Sequence, residues 1–202
     1  MKILCLYNNK CALSLFNWLR ENGHETVLCS DVLTAAWCWE QRFDLAVSYT
    51  YRFIVPEDVL GALRYNAVNL HNSFLPWNRG SDPNLWSILE DAPRGVTLHY
   101  MEAGLDKGAI IVQRLVPLSP EDTLKSSYDK LNVAAQEQFC QAFQWYPYWP
   151  EMKKYPTGEG SYHSIKDGVF FRQMIDSYDM PAKEFRRRAL EEQRETHGFF
   201  SS

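Results

Sequence analysis

The sequence predicts an α/β fold: a Rossmann-like, mostly parallel sheet flanked by helices, with a short C-terminal appendage. Three observations predict it. Short apolar runs alternate with helical or acid-led segments through the first 71 residues, which is the rhythm of strands joined by helical crossovers. The runs are apolar throughout, as strands covered on both faces are. Near residue 150 aromatics, prolines and glycines crowd together and the rhythm stops.

The elements follow in order. KILCLY at 2–7 reads as the first strand. CALSLFNWLREN at 11–22 sets Leu13, Phe16 and Leu19 at helical spacing and meets a stop at Gly23. ETVLC at 25–29 is the second strand and, after a short polar-to-aromatic segment, DLAVSY at 44–49 is the third. Pro56 opens PEDVLGAL with two acids in its first turn, the composition of a helix start. YNAVNLH at 65–71 is the fourth strand, and a helix is expected near 83–90. GVTLHYM at 95–101 and AIIVQRLVPL at 109–118 read as two longer strands. The longest helical pattern runs over 121–143, led by Ser119, Pro120, Glu121 and Asp122 as cap and acidic first turn. Beyond lie a turn-rich stretch and a charged helix near 181–194. The boundary therefore falls near 150: residues 1–150 form the main domain, and 151–202 a short C-terminal subdomain or tail, too small to fold alone.

Composition narrows the classes. With 46% hydrophobic and 23% charged residues the chain is an ordinary globular protein. A net charge of −4 argues against nucleic acid as a partner, and Arg186, Arg187 and Arg188 read as a solvated helix face. The five cysteines are odd in number and scattered without a CxxC, which fits neither a disulfide framework nor a zinc site. No metal is expected, because His24, His99, His163 and His197 show no ligand spacing. The N-terminal apolar run is too short for a signal peptide, and no segment approaches the ~18 apolar residues of a membrane span. A cytoplasmic protein with no membrane partner is expected. The absence of GxGxxG and GxxxxGK[ST] disfavours a nicotinamide or P-loop triphosphate site.

Three residues carry the candidate chemistry. Asn69 and His71 end the fourth strand and, two apart, point to one face. Ligands in such sheets bind outside the carboxyl ends of the strands. Asp106 lies in EAGLDKG, a strand-to-strand loop with Gly104 and Gly108 around it. Each alone has a plain structural explanation, such as a turn aspartate bonding its own backbone. The combination does not.

The stretch NLHNSFLPWNRG, followed by GVTLHYMEAGLDKGAII, resembles the signature of the folate-dependent formyltransferases. These include glycinamide ribonucleotide and methionyl-tRNA formyltransferases and the enzymes that N-formylate amino sugars on nucleotide carriers. The resemblance covers roughly residues 44–130. It implies that Asn69, His71 and Asp106 are catalytic and that 10-formyltetrahydrofolate is the cosubstrate. Asn69 and a donor on His71 would stabilise the tetrahedral oxyanion. His71 would alternatively take the amine proton, with Asp106 orienting it or sharing the transfer. Arg52, Phe53, Ile54, Leu75, Gly104 and Asp106 would surround the cofactor, with backbone near Phe53 and Ile54 binding the pterin. Ser73, Trp77, Asn78 and Arg79 would shape the amine pocket. In GEGSYHSIKDG at 158–168, Tyr162 would stack on a nucleotide base and Lys166 meet its phosphates, or the segment is simply a packed turn.

The form Tyr51, Arg52, Phe53, Ile54, Pro56 is similar to that of the sugar-nucleotide enzymes. The substrate implied is a dTDP- or UDP-linked amino dideoxy sugar, of the kind used in O-antigen. Relatives acting on tRNA carry a large basic C-terminal domain, and this acidic chain stops at 202. Another small amine, like glycinamide ribonucleotide or hydroxyornithine, and a silent folate- or nucleotide-binding module are the alternatives. The aromatic run WYPYWP at 145–150 is either core or the interface of a homodimer.

Overall fold

The computed structural model describes residues 1–198; side chains beyond Arg194, that of His197 among them, lie outside the description. Its strands are β1 (Lys2–Leu6), β2 (Glu25–Cys29), β3 (Leu45–Tyr49), β4 (Ala67–His71), β5 (Arg79–Gly80), β6 (Gly95–Tyr100), β7 (Ile110–Leu115) and β8 (Tyr162–His163). Its helices are α1 (Leu13–Glu21), α2 (Ala35–Gln41), α3 (Glu57–Ala62), α4 (Pro83–Leu89), α5 (Leu124–Phe143), α6 (Trp149–Met152), α7 (Val169–Gln173) and α8 (Ala182–Gly198).

Six strands form one sheet in the order β2-β1-β3-β4-β6-β7. β1 to β4 pair in parallel, as crossovers through α1, α2 and α3 require. β6 and β7 run antiparallel. The loop at 101–109 contains no helix to carry the chain back, so these two strands form a hairpin. Helix α2 falls where the sequence showed only a polar-to-aromatic connector. Thr34 caps it by accepting from the Trp37 N–H at 3.3 Å, and Arg42 closes it in the left-handed region. The exposed Trp39 blurs its amphipathic pattern.

Strand alternation divides the core. Ile3, Cys5, Val47, Val68, Leu70 and Leu98 face Leu15, Phe16 and Leu19 of α1 and Leu131 and Phe139 of α5. Leu4, Leu6, Ala46 and Ala67 turn the other way, onto Cys38 of α2 and Val59 and Leu60 of α3. A third cluster joins Leu85, Trp86 and Ile88 of α4 to Phe171, Met180, Phe185 and Ala189. The chain beyond 150 thus packs on α4, and burying Phe185 alone contributes about 1.5–3 kcal/mol. The aromatic run divides: Trp149 is wholly buried, while Trp145 and Tyr148 are exposed.

Tyr49 ties the sheet to the segment after β4. Its buried hydroxyl donates to Asn132 Oδ1 at 2.7 Å, and Asn72 Nδ2 donates to the same oxygen at 2.9 Å. Burial pushes the phenol well above its usual value. Tyr49→Phe should therefore cost about 1–3 kcal/mol at neutral pH. A raised acid contributes stability that is full below its unfolded value and fades as pH rises toward the folded one. The wild type's advantage over Tyr49→Phe in denaturant midpoint should accordingly shrink above about pH 10. An advantage that stays constant through that range contradicts the assignment.

Candidate active site

The site begins as a pattern of alternation. In β4 the sequence Val68-Asn69-Leu70-His71 sends Val68 and Leu70 into the core under α1 and α5. In β6 Val96-Thr97-Leu98-His99 does the same with Val96 and Leu98. The two strands pair so that Asn69 stands opposite His99 and His71 opposite Thr97. Residues two apart share a face, so four polar side chains occupy one patch, on the side of the sheet opposite α1 and α5.

Asp106 closes over this patch. The loop after β6 folds back tightly: a Cβ on Gly108 would sit 1.9 Å from the carbonyl oxygen of Tyr100. Asp106 itself takes a left-handed backbone conformation, φ 52, which a short polar residue tolerates. Its side chain is only 11% exposed. The Gly80 N–H donates to Oδ2 at 2.9 Å, and Asn69 Nδ2 donates to Oδ1 at 3.3 Å. His71 Nε2 stands 3.6 Å from Oδ2, and His99 Nε2 stands 3.4 Å from Oδ1. Burial opposes the charge, but His71, His99 and the Gly80 N–H outweigh it and hold the carboxyl well below the usual carboxylate range.

The carbonyls assign the protons. His71 Nε2 lies 3.0 Å from the Asn78 carbonyl oxygen, which can only accept, so Nε2 bears the hydrogen. His71 Nδ1 makes no hydrogen bond among the described residues and is left to act as a base. His99 Nδ1 donates to the Tyr100 carbonyl at 2.9 Å. Its Nε2 faces both Asn69 Nδ2, at 3.3 Å, and Asp106 Oδ1, at 3.4 Å. The Asn69 amide is held to Asp106 by a long bond, so a hydrogen is readily turned to an oxyanion.

The remaining predicted residues divide. Ser73, Leu75 and Asn78 are buried. The Ser73 hydroxyl donates to the Trp77 carbonyl. The Leu75 N–H donates to Thr97 Oγ1 at 3.2 Å, and its carbonyl accepts from Gln113. These three shape the loop after β4 from within. Arg52 lies over the Phe53 ring at 4.8 Å, beside the exposed Ile54. The N–H groups of Phe53 and Ile54 donate to nothing among the described residues. Asn8 and Asn9 hold this loop, through bonds to the Arg52 N–H at 2.9 Å and the Thr50 hydroxyl at 3.1 Å. Gly104 is exposed on the Asp106 loop, and Trp77 and Arg79 are half-buried. Tyr162 is half-exposed beside Gly80, and Lys166 is exposed.

Sequence reasoning treated His99 only as a histidine without ligand spacing. The repeated Val-x-Leu-His pattern of β4 and β6 was the signal for its role. Thr97 was passed over too; its hydroxyl donates to the Ser73 carbonyl at 2.7 Å and pins the loop. No cluster of metal-ligating side chains and no helix long and apolar enough to cross a membrane occurs among the described residues. A cleft of about 720 Å³ lies apart from this site, near the amino end of β4, among Glu57, Tyr65, Tyr100, Glu102 and Tyr146.

A family model described as formyl transferase matches residues 33–143. The solved formyltransferase PseJ from Anoxybacillus kamchatkensis, in complex with UDP-4,6-dideoxy-4-formamido-L-AltNAc and tetrahydrofolate, is similar at a TM-score of 0.80 and 36% identity, over 92% of this chain and 97% of that one. A 4-N formyltransferase from Francisella tularensis shares the fold at a TM-score of 0.73 and 21% identity, over 92% of this chain and 85% of that one. Methionyl-tRNA formyltransferase from Geotalea uraniireducens is 34% identical over 99 residues, 48% of this chain and 32% of the relative. The chain spans about a third of the length of that curated relative.

The Asp106 environment sets a pH dependence. A carboxylate held low contributes stability that is full above its unfolded value, about 3.9, and is lost as pH falls through the folded value. Removing one imidazole brings the folded value back toward the unfolded one. In thermal unfolding followed against pH, His99→Leu should begin its acid-side decline at higher pH than wild type. Coincident acid limbs would show that His99 does not hold Asp106.

Proposed function

The chain belongs to the formyl transferase family, and on that premise we propose that it moves the formyl group of 10-formyltetrahydrofolate onto the amine of a nucleotide-linked amino dideoxy sugar. One observation carries this reading: the buried Asp106 carboxylate joins Asn69, His71 and His99 in a cluster that leaves His71 Nδ1 unengaged. That is an arrangement for accepting a proton beside an amide donor.

The roles follow from the hydrogen bonds. The amine attacks the formyl carbon and a carbon–nitrogen bond forms. The Asn69 amide turns one hydrogen to the developing oxyanion. His71 Nδ1 takes the proton the amine must lose, and ionised Asp106 stabilises the imidazolium beside it. As the bond to the folate nitrogen breaks, that nitrogen gains a proton and the amine has lost one, so the exchange balances. The free N–H groups of Phe53 and Ile54 suit the amide-like edge of a pterin, with Arg52 and Gly104 bordering it. Trp77, Arg79, Tyr162 and Lys166 border the side left for the sugar nucleotide.

The sugar substrate is favoured over tRNA because PseJ, a 36% identical relative matched along 97% of its length, was solved with a formamido sugar on UDP. It also favours UDP over dTDP as carrier. Five unpaired cysteines suit the reducing cytoplasm. The exposed Trp145 and Tyr148 are where we place a homodimer contact. We treat 1–150 as the catalytic domain and 151–202 as its appendage.

Formyl transfer should be measured with 10-formyltetrahydrofolate against 3-amino and 4-amino sugars on UDP and dTDP. Turnover is expected on one of them, with tetrahydrofolate released in equal amount. Asn69→Ala and His71→Ala should each lose about a hundredfold or more in kcat, the usual worth of an oxyanion donor or general base. Turnover on glycinamide ribonucleotide or hydroxyornithine alone would replace the sugar. Folate binding with equal inertness of wild type and both variants would leave a binding module.

A further inference from the structure

Two hydrogen bonds that set the catalytic groups come from one short strand. β5 presents the Asn78 carbonyl, just before it, to His71 Nε2 at 3.0 Å, and the Gly80 N–H to Asp106 Oδ2 at 2.9 Å. It gives an acceptor to the imidazole hydrogen and a donor to the carboxylate. Two residues cannot hold that geometry alone. The other edge of β5 pairs in parallel with β8, Arg79 against Tyr162 and Gly80 against His163.

The pairing acts on the peptide that matters. The Asn78 carbonyl and the Arg79 N–H belong to one planar peptide unit and point in opposite directions. The Arg79 N–H donates to the Ser161 carbonyl at 3.0 Å, which turns the Asn78 carbonyl toward His71. The Asn78 N–H, in the preceding peptide, donates to Ser161 Oγ at 2.9 Å, so Ser161 holds Asn78 on both of its flanking peptides. On the next turn of the strand the Ser81 N–H donates to the His163 carbonyl at 2.8 Å. The strands lie close enough that a Cβ on Gly80, whose φ is +90, would stand 2.3 Å from the His163 carbonyl oxygen.

The brace is itself anchored. Ser161 Oγ donates to Glu90 Oε2 at 3.1 Å, and His163 Nε2 lies 3.0 Å from Glu90 Oε1 without hydrogen-bond geometry. The His163 ring stacks flat on Trp86, 3.7 Å between centroids and 6° between planes, and Trp86 is part of the core on α4. Tyr162 sits between Ser161 and His163 on the opposite, half-exposed face of β8.

We propose that Ser161, braced by Glu90, is a positioning residue that fixes the proton of His71 on Nε2 by holding Asn78. β8 is then both a wall of the substrate side, at Tyr162, and the support of the catalytic pair. Loss of the Ser161 hydroxyl removes the hold on the Asn78 N–H and leaves the Arg79–Ser161 backbone bond alone to orient the Asn78 carbonyl, so His71 loses the fixed acceptor that selects its tautomer. The kinetic part of this inference rests on the formyl-transfer reading; the tautomer does not.

The test uses the full chain with nitrogen-15 in its histidines, comparing wild type, Ser161→Ala, Ser161→Thr and Glu90→Gln at neutral pH. The expected spectra show His71 as the Nε2–H tautomer in wild type and Ser161→Thr, and as a mixture in Ser161→Ala and Glu90→Gln. With the sugar-nucleotide substrate, kcat should fall about tenfold to a hundredfold in Ser161→Ala. KM for either substrate should stay within about twofold, and Ser161→Thr should restore the rate. An unchanged tautomer in both Ser161→Ala and Glu90→Gln overturns the proposal, as does a raised KM with unchanged kcat. If Ser161→Ala does not fold, the Glu90→Gln spectrum decides. A wild type inert toward every sugar would count against the function, while the ring spectra would still decide the role of Ser161.

Discussion

A carboxylate almost wholly removed from water has to be satisfied from every side, and the Asp106 carboxylate makes that demand of this fold. Left unpaired it would take up a proton. Instead two imidazoles, an amide and a backbone N–H surround it. They come from three strands: β4 supplies Asn69 and His71, β6 supplies His99, and β5 supplies Gly80. The β6–β7 hairpin is what allows this. A crossover helix would have carried the chain away, whereas the loop at 101–109 turns back over the sheet.

The same logic explains the buried motif residues around the loop after β4. Thr97 shares the face of Asn69 and His71, but its hydroxyl holds the Ser73 carbonyl and receives the Leu75 N–H. Ser73 and Asn78 are buried for the same purpose. The loop after β4 is built from inside so that its backbone, more than its side chains, meets His71. On the other flank, Asn8 and Asn9 fasten the loop after β3, where unpaired N–H groups wait for a partner. The chain reverses its order across the sheet between β1 and β3, so this flank opens where open α/β sheets take ligands.

Much of this was legible beforehand, for identifiable reasons. The six strands of the main sheet announce themselves as apolar runs because helices cover both faces of most of them. Asn69, His71 and Asp106 stand out because polar residues at strand ends and between glycines break the apolar pattern. His99 was hidden because its role depends on cross-strand register, which pairs it with Asn69 across thirty positions of chain. Helix α2 was hidden because Trp39 is exposed on a helix whose other aromatic, Trp37, packs inward. The brace at β8 was hidden most deeply. Ser161 and His163 read as turn residues, and only their backbone pairing with β5 relates them to His71.

The account stands or falls on where the reacting amine sits. The direct measurement is a crystal structure of the protein with tetrahydrofolate and a UDP-linked amino sugar. The account predicts the pterin against the backbone at Phe53 and Ile54, and the amine nitrogen within hydrogen-bond reach of His71 Nδ1, with His71 Nε2 still held by Asn78. Both ligands bound elsewhere, for example in the cleft by Tyr65 and Tyr146, or an amine nitrogen directed at His71 Nε2, would contradict it.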